Sequence, residues 1–348
     1  MTSATETSTR RAPVSRRVRT AMPYALLAIM GVALFVLPRF SGHEASTFNV
    51  YDALQLWSAY GLVALGVGLT MIVGEFDFGV LGVFALCPMI AVKLGEINLF
   101  LGLGAALAVA AVVGFLEGAI VAKLRVHSMP VTLGFYIALL GANIAIGNSQ
   151  SVSFSNLDVG SALDAVQFYI LSWRSIIALM VFALVFVVMR FTHFGRDIRA
   201  VGGDRRASRM VGVEVDRVLI GVFMTSAVCS GLGGILLAYS FATALSNPGL
   251  YPLQFAVTAA IVGGVSLVGG VGGPVGIAAG ALTLSLLQEL FSLLAAPTYL
   301  SSLITGILLV LATFVAAPDL GARWKSFRSP RPHALSGVAP SVPQPAPK

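Results

Sequence analysis

Long apolar stretches separated by short polar breaks run through most of the chain, near 21–37, 54–73, 79–94, 99–122, 130–147, 172–190, 218–240, 253–269, 274–294 and 299–316. Most approach the roughly 20 residues needed to cross a hydrocarbon core. The apolar positions are continuous rather than alternating, so a transmembrane barrel is not predicted. Backbone polar groups left unpaired in hydrocarbon are costly, and the runs are therefore predicted to be helices. The expected fold is an all-α membrane protein of about ten transmembrane helices. The 74–79 and 263–274 regions are either plain turns or broken helices.

Composition narrows the class further. Of 348 residues, 57% are hydrophobic and only 11% are charged, with a mean hydropathy of +0.90. Soluble domains carry roughly 25% charged residues, so a soluble protein is excluded. The net charge of +7 is not a nucleic-acid footprint, because no soluble core accompanies it. Cys87 and Cys229 both lie in apolar stretches and the four histidines have no ligand spacing, so neither disulfide nor metal chemistry is expected.

The termini are polar. Residues 1–20, with Arg10, Arg11, Arg16, Arg17 and Arg19, read as a disordered basic cytoplasmic leader. Leu37-Pro38-Arg39-Phe40 is no cleavage site, so the first span is expected to be retained. A transmembrane domain is expected over 21–320. A disordered, proline-rich cytoplasmic tail is expected over 321–348.

Basic residues fix the direction of the spans. With the N-terminus inside, 19 of the 22 Lys and Arg residues fall on the cytoplasmic side, and only Arg39, Lys93 and Arg174 lie outside. Seven of them sit in or beside the cytoplasmic segment 191–217. There, Asp204 can cap a short helix beginning at Arg205, and Gly212 can end it. This segment is either an ordinary basic loop or a docking element for a cytoplasmic partner.

No Gly-x-x-x-x-Gly-Lys-Ser/Thr phosphate loop, nucleophile elbow or zincin signature occurs. Transport by this chain would then be passive, driven by ions, or powered by a separate ATPase.

Four segments carry a family resemblance: GEFDFGVLG (74–82), GFLEGAIVAKLRVHSMPVTLG (114–134), the run from Phe194 to Ala238, and IVGGVSLVGGVGGPVGIAAGAL (261–282). In this order they resemble the ribose-type ABC importer permeases. The resemblance implies an inner- or plasma-membrane subunit with inverted repeats that pairs with a second copy or a paralogue. Two cytoplasmic ATP-binding subunits would supply power, and an extracytoplasmic solute-binding protein would deliver the solute. It further implies that Gly195, Arg196 and the stretch Gly202, Gly203, Asp204, Arg205, Arg206, Ala207, Arg209 and Gly212 include the element that docks on the ATPase. Arg205, Arg206 and Arg209 would face acceptor groups there. The chain itself would need no cofactor, because ATP and magnesium are used by the partner ATPase. Membrane lipid is an expected partner and nucleic acid is not.

Within the spans, ionisable residues need a reason. Asp77 either caps the helix starting near Gly79 or touches solute. Glu75 stands where the family has glycine, and a solvated place near the cytoplasmic end of its span would suit it. Glu117 and Glu289 stand where the family tends to have amides, and either join helices or line the translocation pathway. Phe76, Phe78, Phe135, Asn143, Gln150 and Asn247 are weaker pathway candidates. Gly263, Gly264, Gly269, Gly270, Gly272 and Gly273 read as close packing with a turn, or as a hinge. The expected function is the permease subunit of an ATP-driven importer for a small polar solute, a sugar first. The alternative is an ion-coupled secondary transporter using Glu117 and Glu289.

Overall fold

A computed structural model describes residues 16–42 and 44–316. The expected leader up to residue 15 and the expected tail from 317 lie outside the described residues. The chain folds as α1 (Arg16–Val36), a single 3-10 turn (Pro38–Ser41), α2 (Thr47–Ile72), α3 (Gly79–Gly95), α4 (Leu99–Leu124) and α5 (Ser128–Ile146). Then come β1 (Val152–Ser153), α6 (Leu157–Asp164), β2 (Val166–Phe168), β3 (Leu171–Ser172) and α7 (Trp173–Phe191). Two short helices follow, α8 (His193–Gly203) and α9 (Arg205–Met210), then α10 (Val215–Ser240), β4 (Thr243–Ala244), α11 (Tyr251–Val262), α12 (Pro274–Leu293) and α13 (Thr298–Ala316).

Among the described residues, seven helices are long and apolar enough to cross a membrane, and three shorter apolar helices accompany them. The chain is thus an all-α membrane protein, and seven of the ten expected runs form helices of full spanning length. The run at 253–269 is the clearest correction. Its helix, α11, has only 12 residues and stops at Val262, because Gly263 and the glycines after it break the backbone while hydropathy continues. The 74–79 break is also real, with α2 ending at Ile72 and α3 starting at Gly79.

Helix α2 is the axis of the bundle, buried along most of its length against α10, α11 and α12. Small residues let backbones approach. A Cβ added to Gly66 would stand 2.8 Å from the Ser226 carbonyl oxygen of α10, and one on Gly233 of α10 would stand 2.4 Å from that of Ala59. The expected Gly114 and Gly118 face of α4 packs on α10 in the same way, 2.6 Å from the Phe223 carbonyl and 2.7 Å from Ile220 Cα respectively. Helix α5 differs, since only Ser128, Thr132 and Asn143 of its residues are buried.

The bundle has two chemically distinct ends. The basic end gathers the C-termini of α2 and α4, helices α8 and α9, and the 263–273 loop; by the positive-inside rule this is the cytoplasmic end. At the other end α6 and the short strand pairs β1–β4 and β2–β3 form a cap that hydropathy alone does not foretell. Arg174, expected in an outer loop, is 4% exposed. Its Nε lies 2.9 Å from Gln55 Oε1 and 3.3 Å from Asp164 Oδ1, tying α7 to α2 and α6.

Candidate functional site

The predicted docking element is a pair of helices at the cytoplasmic end. Thr192 caps α8, its hydroxyl accepting the Gly195 N–H at 3.4 Å. Asp204 then caps α9, its Oδ1 accepting from the N–H groups of Arg206 and Ala207 at 2.8 and 2.9 Å. Gly212, at φ 87°, closes α9 in the left-handed region. The cap and the terminator are those read from the sequence, while α8 extends the helical part back to His193.

The glycines of this element are contact points. Gly195 packs in the corner between α7 and α8, where a Cβ would stand 2.4 Å from Met189 Cα. Gly202 is tighter still. A Cβ there would lie 1.8 Å from the Ile72 carbonyl oxygen and 2.6 Å from the Gly270 nitrogen. That same Gly270 N–H donates to the Ile72 oxygen at 2.8 Å. Three backbone segments therefore meet without intervening side chains: the end of α8, the end of α2 and the 263–273 loop. Gly203, one residue on, faces open space.

Arg205 extends this junction. Its Nη2 lies 2.6 Å from Glu75 Oε1 and donates to the Val73 carbonyl at 3.2 Å. It therefore grips the link between α2 and α3 instead of projecting outward with its neighbours. Arg209 pairs with Asp216 at 3.0 Å, and Arg196 bonds His193 at 2.7 Å. Of the three arginines expected to face an ATPase, Arg206 alone forms no ion pair among the described residues. It is exposed beside Ala207, Arg209, Met210 and Val211, so the free face of α9 is both basic and apolar. Between α9, Glu75 and the α4–α5 corner lies a cavity of about 540 Å³ that Arg125 and His127 also line.

The remaining hinge candidates divide into two groups. Gly263 and Gly276 oppose each other's carbonyls at the α11–α12 crossing, at 2.5 and 2.2 Å from the added Cβ positions. Gly264, Gly269, Gly270 and Gly272 have positive φ, and Gly273 precedes α12 in extended conformation. Packing and turn formation are both present, and the loop they build touches α8.

Asp77, one residue before the N-cap Phe78, bonds the start of α3, the first of its two readings. Oδ1 accepts the Gly79 N–H at 2.8 Å, and Oδ2 accepts from Ser226 Oγ at 3.0 Å. Phe76 and Phe78 flank it, with their N–H groups donating to Ser128 and Thr132 of α5, each at 3.1 Å. Their rings pack on each other at 5.1 Å. Glu117 is fully buried and its carboxyl lies against Gly79, where a Cβ would stand 1.9 Å from Oε1. Neither Glu117 oxygen has a hydrogen-bond partner among the described residues. This Asp77–Gly79–Glu117 cluster joins α3, α4 and α10. Sequence spacing could not show it, because Glu117 lies on another helix.

Glu289 is elsewhere. It accepts from Asn49 Nδ2 at 2.8 Å, near the outer ends of α12 and α2. Asp77 is bonded to Ser226, which packs on Gly66 of α2, and Asn49 and Gly66 are separated by about 25 Å along α2. Glu117 and Glu289 therefore do not form one ion site. Asn143 is also structural in its contacts, since Nδ2 donates to the carbonyls of Leu245 and Ser246 at 3.1 and 2.8 Å. Gln150 and Asn247 are exposed at the outer end, and Phe135 is partly buried on α5.

Residues 49–313 match the family described as "Branched-chain amino acid transport system / permease component". The chain belongs to this family. It is a multi-pass membrane permease, a transport component and not an enzyme, and a permease component is one part of a larger transport system. The permease is 28% identical over 304 residues to the ribose import permease protein of Escherichia coli strain K12, covering 84% of this chain and 91% of that one. It is 27% identical over 316 residues to the galactose/methyl galactoside import permease protein of Haemophilus influenzae, with 85% and 93% covered. The fructose import permease protein of Rhizobium meliloti is 24% identical over 310 residues, with 85% and 84% covered. No solved structure matches the chain.

Proposed function

We propose that this permease is the membrane subunit of an ATP-driven importer for a small polar solute, a sugar first. Its similarity to ribose, galactose and fructose import permeases supports the solute class and the direction of transport. Each transporter would contain two permease subunits, two ATP-binding subunits and an extracytoplasmic binding protein. The observation that carries the mechanism is the backbone junction of Gly202, Ile72 and Gly270. Movement imposed on α9 and α8 by an ATPase passes to the end of α2 and to the α11–α12 loop without side chains to absorb it. Rigid elements packed in this way shift between discrete arrangements rather than deforming smoothly. Arg205 holds the α2–α3 link to the same lever.

The test is uptake of labelled ribose, arabinose, galactose and fructose by cells expressing the permease with its cognate ATPase and binding protein. Uptake of at least one sugar is expected to disappear when the ATPase phosphate-loop lysine is replaced, and to survive a protonophore while ATP is maintained. Uptake that ignores the ATPase variant and collapses with the protonophore would return the ion-coupled alternative.

A further inference from the structure

We propose that the permease holds an anionic phospholipid of the cytoplasmic leaflet in an amphipathic groove between α1, the α7–α8 corner and the 263–276 segment. A cavity of about 520 Å³ opens there, bounded by Pro23, Tyr24, Phe186, Arg190, Arg199 and the glycine-rich backbone from Gly270 to Gly276. No carboxylate lines it, and Arg190 and Arg199 form no ion pair among the described residues. Arg199 spends one N–H on the Met189 carbonyl at 3.3 Å, and the remainder of its guanidinium fork is available.

A second cavity of about 150 Å³ shares Pro23 and Gly264 with the first. Its other walls are apolar, including Leu26, Ile261, Val265, Leu308 and Ala312 of α1, α11, α13 and the start of the loop. The two spaces adjoin at Pro23 and Gly264, a basic mouth at the cytoplasmic end beside an apolar recess between three helices. That sequence of environments matches a phospholipid. Arginine pairs with phosphate bidentately, and basic pockets between helices on the cytoplasmic side favour anionic headgroups. Pro274, Val275 and Gly276, the first turn of α12, line the same mouth. A free phosphate would use the basic mouth and leave the apolar arm unexplained.

The lipid would sit against the 263–273 loop, which touches Gly202 of α8, so its presence would bear on the junction described above.

The test uses the full-length permease in detergent with added phosphatidylglycerol, phosphatidylcholine or inorganic phosphate, read by native mass spectrometry and by thermal unfolding. About one phosphatidylglycerol per chain is expected to persist under activation that removes phosphatidylcholine. In the Arg190→Gln/Arg199→Gln variant its affinity is expected to fall about tenfold to thirtyfold. Ala312→Phe, which leaves the arginines intact and fills the apolar arm, is expected to weaken phosphatidylglycerol binding as well. The Arg190→Lys/Arg199→Lys variant, which keeps both charges, is expected to retain part of the binding and serves if the glutamine variant does not fold. Equal retention of the neutral lipid, unchanged binding in both the glutamine and Ala312→Phe variants, or displacement of the lipid by millimolar inorganic phosphate would overturn the proposal.

Discussion

Gly202 approaches Ile72 so closely that an added methyl would stand 1.8 Å from the Ile72 carbonyl oxygen. The neighbour is backbone and cannot rotate away, so any side chain at 202 must separate α8 from α2. Gly202→Val is expected to leave an inserted permease whose uptake per molecule falls to about a tenth or less, given overpacking costs of about 1–3 kcal/mol. Gly203→Ala, facing open space, is expected to be close to neutral. Uptake normalised to membrane-inserted protein distinguishes the two; equal behaviour would contradict the lever.

The Arg205–Glu75 pair predicts a charge-swap result. Its two side chains are unequally exposed, 40% and 9%, so solvent screening limits its worth to about 0.5–1 kcal/mol. Arg205→Glu alone is expected to impair uptake more than Glu75→Gln, because it also loses the Val73 carbonyl and opposes Glu75. Adding Glu75→Arg should recover part of the activity. A double variant no better than Arg205→Glu would assign Arg205 wholly to the ATPase.

Asp77 and Glu117 are expected to respond differently to loss of charge. Asp77 has two partners, and Asp77→Ala is expected to cost about 1 kcal/mol for the helix cap alone. Glu117 has none among the described residues, so Glu117→Gln is expected to fold at least as well and to leave the preference among the tested sugars unchanged. Gly79→Ala should fail beside Glu117 and be rescued by Glu117→Ala, since the clash is between those two side chains. Thermal unfolding of the purified variants measures the stability effects, and uptake of the four sugars measures the preference.

A pH dependence is expected at the outer cap. Glu96 accepts from the Ser155 hydroxyl and, at 2.6 Å, from the Ser155 N–H. These bonds hold its carboxyl below its ordinary value of 4.5. Because the folded value is the lower one, the tether is complete above the ordinary value and is lost as pH falls through the folded one. Exchange at the Ser155 amide, corrected for its intrinsic rate, should remain protected at mildly acidic pH and rise only in stronger acid. In Glu96→Gln it should not depend on pH in this way.

Local signals account for what the sequence made legible. Asp204 before a short helix, Gly212 after it and Asp77 before Gly79 act on residues two or three positions away, and each occupies its expected place. The long apolar runs likewise became helices. The misses involve contacts between segments distant in sequence. Hydropathy through Val265, Leu267 and Val268 hid the end of α11, because an apolar loop inside a bundle scores like a helix. Arg174 looked like a loop charge until Gln55 and Asp164 came to meet it. Arg205 looked like its neighbours, and only the α2–α3 link shows why it turns inward. Glu117 and Glu289 seemed a pair because both departed from the same family pattern, a likeness of type without proximity.

The shortness of α11 has an electrical consequence. Its first residue, Tyr251, packs at 5.1 Å on Tyr60, about 20 Å along α2 from its outer end. The chain from Leu245 to Leu250 therefore descends without helix to reach that level. Unsheathed backbone at such depth persists only where protein covers it or water reaches it. Water in the cavity of about 190 Å³ that Leu245 and Pro248 line beside Phe84 and Gly234 would leave α11, about 18 Å long, to insulate much of what a full bilayer of about 30 Å insulates elsewhere. The membrane voltage would fall most steeply across this half-helix, so a solute's charge would be felt most sharply there.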